Sequence, residues 1–294
     1  MINMYQPCQE QSFAEDPTLS ERLFDLLETT FPDISRTAQY IRELGASWES
    51  ASTPFICFHD GLAIAHVGVL ELPLLLMGQP VIVGGIHAVC TRPEFRRRGY
   101  YRSCMEAALD YCASRYDTLI LTTAQPELYL PFGFRVIKEH AFVTQCTATA
   151  HVEGFRVLNL QAPSDRELLH KLLNEREPVS SIVGVRNEKA VFCFNEGNNP
   201  LHYAEDLDII VAMEIEGDQL RLFDIVGKKL CTLASILERI PQPINEVAIY
   251  FSPDRLDVNA QPFPHVLDGD SQLMVRGSFA AEGQAFMLPR SARC

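Results

Sequence analysis

Residues 89–102 read Val89-Cys90-Thr91-Arg92-Pro93-Glu94-Phe95-Arg96-Arg97-Arg98-Gly99-Tyr100-Tyr101-Arg102. Five of the chain's 20 arginines fall between Arg92 and Arg102. The stretch joins an apolar run ending at Thr91 to a segment in which Met105, Ala108, Leu109 and Cys112 recur at helical spacing. A helix N-terminus offers main-chain N–H groups that no carbonyl of the helix accepts, guanidinium groups surround them, and Gly99 lets the backbone approach a ligand closely. Together these features make an anion site suited to a pyrophosphate. On charge alone the run also reads as a solvated basic loop, the commoner fate of such runs. The patterns G-x-x-x-x-G-K-[ST] and G-x-G-x-x-G are absent, which removes the main support for nucleoside triphosphate and dinucleotide binding. G-x-S-x-G and H-E-x-x-H are absent too.

Upstream, Thr18 and Glu21 have capping-box spacing ahead of Leu19, Leu23, Leu26 and Leu27, predicting a helix that Pro32 closes. A second helix is expected from about Ser35 to Leu44. Strands are expected over Phe55–Phe58, Leu62–Leu76 and Val81–Thr91, with hairpin turns at Asp60-Gly61 and Met77-Gly78-Gln79-Pro80. A helix after Gly99 and a short buried strand, Thr118–Thr123, complete an α-α-β-β-β-α-β order, an α+β mixture. A second unit begins near residue 151. It holds a strand at Phe155–Leu160, a helix through Leu173 opened by Ser164 and Glu167, and a hairpin of Ile209–Ile215 with Leu220–Val226. A helix carrying Leu230, Leu233, Ala234 and Leu237 and a strand at Val247–Phe251 follow. The coarse order repeats that of the first half without visible identity, a degenerate duplication that divides the chain into 1–150 and 151–294.

At 294 residues, 47% hydrophobic and 21% charged, the composition is that of a folded protein with one large or two ordinary domains. A net charge of −13 argues against nucleic acid as a partner. The longest apolar region, Leu62 to Val89, is broken by His66, Glu71, Pro73, Gln79, Pro80 and His87, so no membrane span is expected. The stretch from Met1 to Asp16 lacks the basic and apolar regions of an export signal, and a cytoplasmic location is expected. The 9 cysteines form no C-x-x-C pair and read as small buried hydrophobes kept reduced. Asp206, Asp208, Asp268 and Asp270 stand in turn-like contexts without His or Cys at ligand spacing, so no metal is expected.

A strand, then Arg96-Arg97-Arg98-Gly99-Tyr100-Tyr101 opening a helix, then the strand Thr118–Thr123, then Tyr129-Leu130-Pro131-Phe132-Gly133-Phe134 resembles the GNAT N-acetyltransferases, which use acetyl-CoA. The run Val89 to Gly99 resembles most the bacterial enhanced-intracellular-survival branch, in which a degenerate second GNAT domain follows the first. The likeness covers about residues 20–145 well and the remainder only in architecture. It implies a GNAT fold, with a mixed, splayed central sheet flanked by helices, followed by a degenerate GNAT-like domain. Two departures stand out. Tyr101 occupies a position where the family prefers Gly or Ala, so its side chain must point away from the phosphates. The third, sterol-carrier-like domain usual in that branch is not expected in a sequence of this length.

The resemblance implies an acetyl-CoA-dependent N-acetyltransferase acting on a small-molecule or peptide primary amine by direct attack, with oligomeric state left open. A non-catalytic acyl-CoA-binding or regulatory protein on the same fold is the alternative. Arg96, Arg97, Arg98, Gly99, Tyr100, Tyr101 and Arg102 would hold the pyrophosphate, with main-chain groups of Val89 and Thr91 along the pantetheine arm. An N–H near Val89 would polarise the thioester carbonyl. Tyr129 matches the family's general acid, a phenol protonated at neutral pH that can donate to the leaving thiolate. Cys90 is expected to face the core. Three candidates stand for the base: His87 by strand alternation, Glu71 as a charge interrupting an apolar strand, and Cys294, whose carboxylate would match the chain end that reaches the site in the branch; Phe286-Met287-Leu288-Pro289 before it reads as an ordered strand. Residues 1–91 hold 11 acidic and 3 basic residues, a balance of −8 that favours a cationic, polyamine-like or lysine-like acceptor if those charges wall the acceptor side.

Overall fold

The computed structural model describes residues 5–148, 153–267 and 269–294; the expected boundary at 150/151 and Asp268 lie outside the described residues. A long meander sets the framework. β1 (Tyr5–Glu10), β2 (Ser52–His59), β3 (Leu62–Leu76) and β4 (Gln79–Thr91) pair antiparallel in that order, with turns at Asp60-Gly61 and Met77-Gly78 as expected. The chain leaves β4 through the arginine loop, and α4 (Tyr100–Cys112) carries it to β5 (Thr118–Thr123), which lies parallel to β4. Before the meander come α1 (Leu19–Leu27), α2 (Ile34–Glu43) and the single turn α3 (Trp48–Ala51). α1 buries Leu19, Leu23, Leu26 and Leu27 against Ile56, Phe58, Ala63 and Cys90, while α4 buries Cys104, Met105, Ala108 and Cys112 on the other cluster of the sheet. At about 1.5–3 kcal/mol per buried large apolar side chain, these stripes fix both helices on the sheet.

β6 (Arg135–Val136) ends this part of the sheet, but it does not pair with β5. The next strands, β7 (His140–Ala148) and β8 (Arg156–Val157), belong to a second sheet with β10 (Leu201–Ala204), β11 (Ile209–Glu216), β12 (Gln219–Gly227), β13 (Ile244–Ile249) and β14 (Gln261–Pro264). Of the remaining strands, β9 (Val183–Val185) adds to β3, and β15 (Gln272–Gly277) inserts antiparallel between β5 and β6. The first sheet therefore runs β1-β2-β3-β4-β5-β15-β6 and the second β14-β7-β13-β12-β11-β10-β8. The two sheets share a plan: an antiparallel meander, a helical crossover to a parallel strand, and an antiparallel strand supplied by a distant part of the chain. The crossover helix is α4 in the first sheet and α7 (Leu233–Leu237) in the second; the supplied strand is β15 in the first and β7 in the second. α5 (Pro163–Glu175) and α6 (Ala190–Glu196) pack with the second sheet in one apolar cluster.

Several local expectations need correction. Neither capping box forms. The Thr18 hydroxyl and amide both donate to Asp16, a nearer acceptor, and α5 starts at Pro163 so that Ser164 is already inside the helix. The strand expected over 155–160 shortens to Arg156–Val157, because Asn159 turns its amide to Asp165. Leu230 precedes α7, which Thr232 caps. Residues 286–289 are buried at Phe286, Met287 and Leu288 but are not a strand. No helix among the described residues is long and apolar enough to cross a membrane.

Candidate active site

β4 and β5 touch at only two register pairs, Gly84 with Leu119 and Gly85 with Ile120, and beyond them part company. Close approach there depends on missing side chains: a Cβ on Gly84 would stand 2.6 Å from Leu119 and one on Gly85 2.9 Å from Cys294 Sγ. Past this contact β4 bulges. His66 faces Cys90 and Gly68 faces His87, so Ala88 and Val89 together oppose the single residue Val67. Ala88 adopts φ +50°, and its carbonyl accepts a 2.8 Å hydrogen bond from His66 Nδ1 on β3. A carbonyl can only accept, so the His66 proton is on Nδ1 and the lone pair on Nε2, which is buried without a partner. Because N–H and C=O of a trans peptide point in opposite directions, the same bond turns the Val89 N–H away from β3 and toward the gap.

Around this gap lies a cavity of about 1050 Å³. At one end Arg97 (φ +62°) and Gly99 (φ +91°) curl the loop, and Gly99 stands just before the first turn of α4, whose leading N–H groups have no intrahelical partner. Arg96, Arg97, Gly99, Tyr100, Tyr101 and Arg102 line this end. Arg98 does not; its guanidinium lies over the Phe95 ring at 5.4 Å. Arg96 Nε donates to the Thr91 carbonyl at 3.1 Å, so part of the main chain expected to face a pantetheine arm is already engaged. The Tyr101 hydroxyl donates to the Leu128 carbonyl at 2.9 Å, and its ring packs edge-on against Tyr129 and Phe132.

Tyr129 lines the cavity and is buried. Burial pushes its phenol up to about 12, against a hydrogen bond with Thr123 that pulls the other way. It is therefore a proton donor throughout the neutral range. Val89, Thr91, His87 and Cys294 also line the cavity. His87 Nε2 lies 2.9 Å from Ser52 Oγ and its ring 4.8 Å from Trp48; burial, then the neighbouring His66, lowers its pKa to about 3. The main-chain oxygen of Cys294 accepts from Thr122 N at 2.8 Å and Thr122 Oγ1 at 2.7 Å, occupying the edge of β5 beside the gap. Glu71 is not brought to the cavity: it is exposed on β3 and accepts from the Tyr116 hydroxyl at 3.0 Å. Cys90 is buried in the cluster with α1 but also lines the cavity, and burial pushes its thiol up to about 12.

The opposite end of the cavity departs from the charge expectation. Phe31, Ile34, Trp48, Val191 and Phe194 wall it, with Trp48 and Phe194 ring centroids 5.4 Å apart. Among the described residues no Asp or Glu side chain lines any part of it. The acidic side chains of residues 1–91 lie on outer surfaces, several neutralised there: Asp16 pairs with Arg22, Glu49 with Arg42 and Asp25 with Arg92. The aromatic wall escaped sequence reading. Its signals were the chain's single tryptophan and the apolar run Ala190-Val191-Phe192-Cys193-Phe194.

The corresponding region of the second sheet is filled. Phe223 is the extra residue of a bulge in β12; the Arg290 guanidinium covers its ring at 3.6 Å, and Asp224 takes hydrogen bonds from Ser291 and from the fully buried Arg176. Elsewhere the thiols of Cys8, Cys57 and Cys104 converge, all buried, within 4.8 Å of one another.

A splayed parallel pair, a bulge in β4 and a basic helix start give the first sheet a GNAT-like α+β fold. Residues 16–137 match the model of the acetyltransferase (GNAT) domain. Among solved structures, a conserved Enterococcus faecalis protein described as a probable N-acyltransferase is similar at 15% identity and TM-score 0.61, over 96% of this chain and 73% of its own. A GCN5-related N-acetyltransferase from Kribbella flavida gives 15%, 0.59, 94% and 71%, and Eis1 from Mycobacterium abscessus 13%, 0.55, 94% and 73%. No curated protein matches the chain.

Proposed function

We propose that the protein transfers an acetyl group from acetyl-CoA to a primary amine by direct attack, with residues 1–150 supplying the donor site and residues 151–294, a degenerate GNAT-like unit, walling the acceptor end. The observation that carries this reading is the parting of β4 and β5 after two register pairs, with the bulge at Ala88 and Val89 beside the opening, from which we infer a Val89 amide facing it. The amides at the start of α4, with Arg96, Arg97 and Arg102, suit the diphosphate of coenzyme A. The thioester then lies near the Val89 N–H, which stabilises the oxyanion as the amine nitrogen attacks the carbonyl carbon. As the C–S bond breaks, Tyr129 gives its proton to the thiolate. His87, neutral down to about pH 3, is too weak a base, and Glu71 is outside the cavity, so of the three candidates Cys294, whose main-chain oxygen lies beside the gap, remains for the ammonium proton. The likeness to Eis1 supports an enhanced-intracellular-survival type of architecture, and the GNAT match supports acetyl-CoA as donor.

Calorimetric titration with acetyl-CoA and thiol release with an amine panel test this together. Tyr129→Phe is expected to lower kcat by about 10²–10⁴-fold, the usual contribution of a general acid, with acetyl-CoA affinity within twofold of wild type. Unchanged kcat removes Tyr129 as the acid. Acetyl-CoA binding without thiol release for any amine leaves the non-catalytic acyl-CoA-binding reading in its place.

A further inference from the structure

From the composition of the cavity's far end we infer that the acceptor is a monoamine whose amino group is carried on an aromatic or branched apolar body, and not a polyamine or an amino sugar. The inference rests on the acetyl-transfer reading and narrows it.

A polycation leaving water needs carboxylates to replace its hydration, since an unpaired charge is costly to bury. Among the described residues no Asp or Glu side chain lines the cavity, and its charged side chains, Arg96, Arg97, Arg102 and Arg293, are all cationic. Arg293 is held in a buried pair with Glu139 at 2.7 Å, so that carboxylate is spoken for. What the far end does offer is ring and branched surface. The Trp48 ring lies 4.8 Å from His87 and 5.4 Å from Phe194, and Phe31, Ile34 and Val191 line the same cavity. Flat aromatic faces hold an aromatic or branched body by area and by ring–ring geometry, and tolerate one ammonium beside them through the ring quadrupole.

The pocket is not suited to a fatty acyl tail, because neutral polar groups interrupt it where an amino group would pass toward the thioester. Ser52 Oγ meets His87 Nε2, and Asn195 gives its Nδ2 to the Arg293 carbonyl at 2.9 Å, leaving Oδ1 to accept. A single N–H donor with an apolar body matches this pattern. Val191, Phe194 and Asn195 come from α6, so the second half of the chain contributes to a wall that Phe31, Ile34 and Trp48 of the first half complete.

The test uses the full chain with acetyl-CoA, reading free thiol with 2-phenylethylamine, spermidine and an aminoglycoside. The expected result is a kcat/KM for 2-phenylethylamine at least tenfold above that for either polycation. Phe194→Ala should raise the KM for 2-phenylethylamine about tenfold while kcat and the KM for acetyl-CoA hold. Because the chain has a single tryptophan, Trp48 emission reads this pocket directly, and 2-phenylethylamine should change it where spermidine does not. Faster turnover of a polycation, equal turnover, or a Phe194-dependent preference for octanoyl-CoA over acetyl-CoA would overturn the inference and leave acyl transfer standing. No thiol release with any amine would overturn both.

Discussion

Replacing His66 by leucine removes a side-chain hydrogen bond that holds the bulge in β4, although His66 is expected never to touch either substrate. Ala88 at φ +50° costs about 1–2 kcal/mol as a left-handed non-glycine residue. Against this, leaving the half-buried Ala88 carbonyl without its donor costs about 1–3 kcal/mol. The two quantities are of one size, so in His66→Leu the peptide between Ala88 and Val89 is free to rotate back toward an ordinary strand. The arrangement with its amide facing the gap is then depopulated about 5- to 150-fold, each 1.36 kcal/mol being a factor of ten. Loss of an oxyanion donor costs about 10²–10³ in kcat, which sets the ceiling. The assay is single-turnover thiol release at saturating acetyl-CoA, with acetyl-CoA affinity and melting temperature measured alongside. His66→Asn keeps a donor near the Nδ1 position and should recover most of kcat, whereas His66→Phe should not. A His66→Leu enzyme with wild-type kcat, or His66→Asn as slow as His66→Leu, would refute the reasoning.

Stability should fall on acidification through two buried imidazoles. Burial holds His66 near pKa 4 and His87 near 3, below the ordinary value of 6.5, so the unfolded chain binds protons that the folded one refuses. As pH drops from about 6.5 to 4, each group is expected to remove about 1.4 kcal/mol per pH unit, while between pH 7 and 8 neither contributes any slope. Denaturant midpoints at pH 7.5, 6 and 5 check this, and a flat profile contradicts it. In the second half, Asp224→Ala strands the wholly buried Arg176 guanidinium and should destabilise by about 3–5 kcal/mol in urea unfolding. A loss under 1 kcal/mol would mean that water or a rearranged partner reaches Arg176.

The elements legible in the sequence are those set by local chemistry. The meander of β2, β3 and β4 follows from long apolar runs cut by turn residues, α4 from its spaced Met105, Ala108 and Cys112, and the arginine loop from its own composition. Tyr129, singled out with Phe132, Gly133 and Phe134 as one motif, lies on the cavity wall. The bulge at Ala88 and Val89 was not legible, since a left-handed alanine has no compositional mark and is imposed by His66 from the neighbouring strand. Glu71 misled for a related reason: a charge inside an apolar strand can lie on either face of the sheet, and here it turns outward to Tyr116. The capping boxes failed because spacing alone does not exclude a nearer acceptor such as Asp16. Net charge over residues 1–91 did not predict the cavity wall, since acidic side chains find arginines on the surface while α6 brings aromatic residues from a distant segment.

The exchange of strands between the sheets bears on how the molecule comes into being. Roughly 150 residues separate β5 from β15, which at ordinary elongation rates is about 7–30 s during which the nascent first sheet presents an unpaired edge along Thr118–Thr123. Neither sheet is completed by its own half of the chain, so a fragment ending near residue 150 would carry the residues proposed to bind the donor yet remain an open, adhesive sheet. Ribosome pausing or chaperone capture in that interval would govern the yield of working protein without altering a single contact of the finished one.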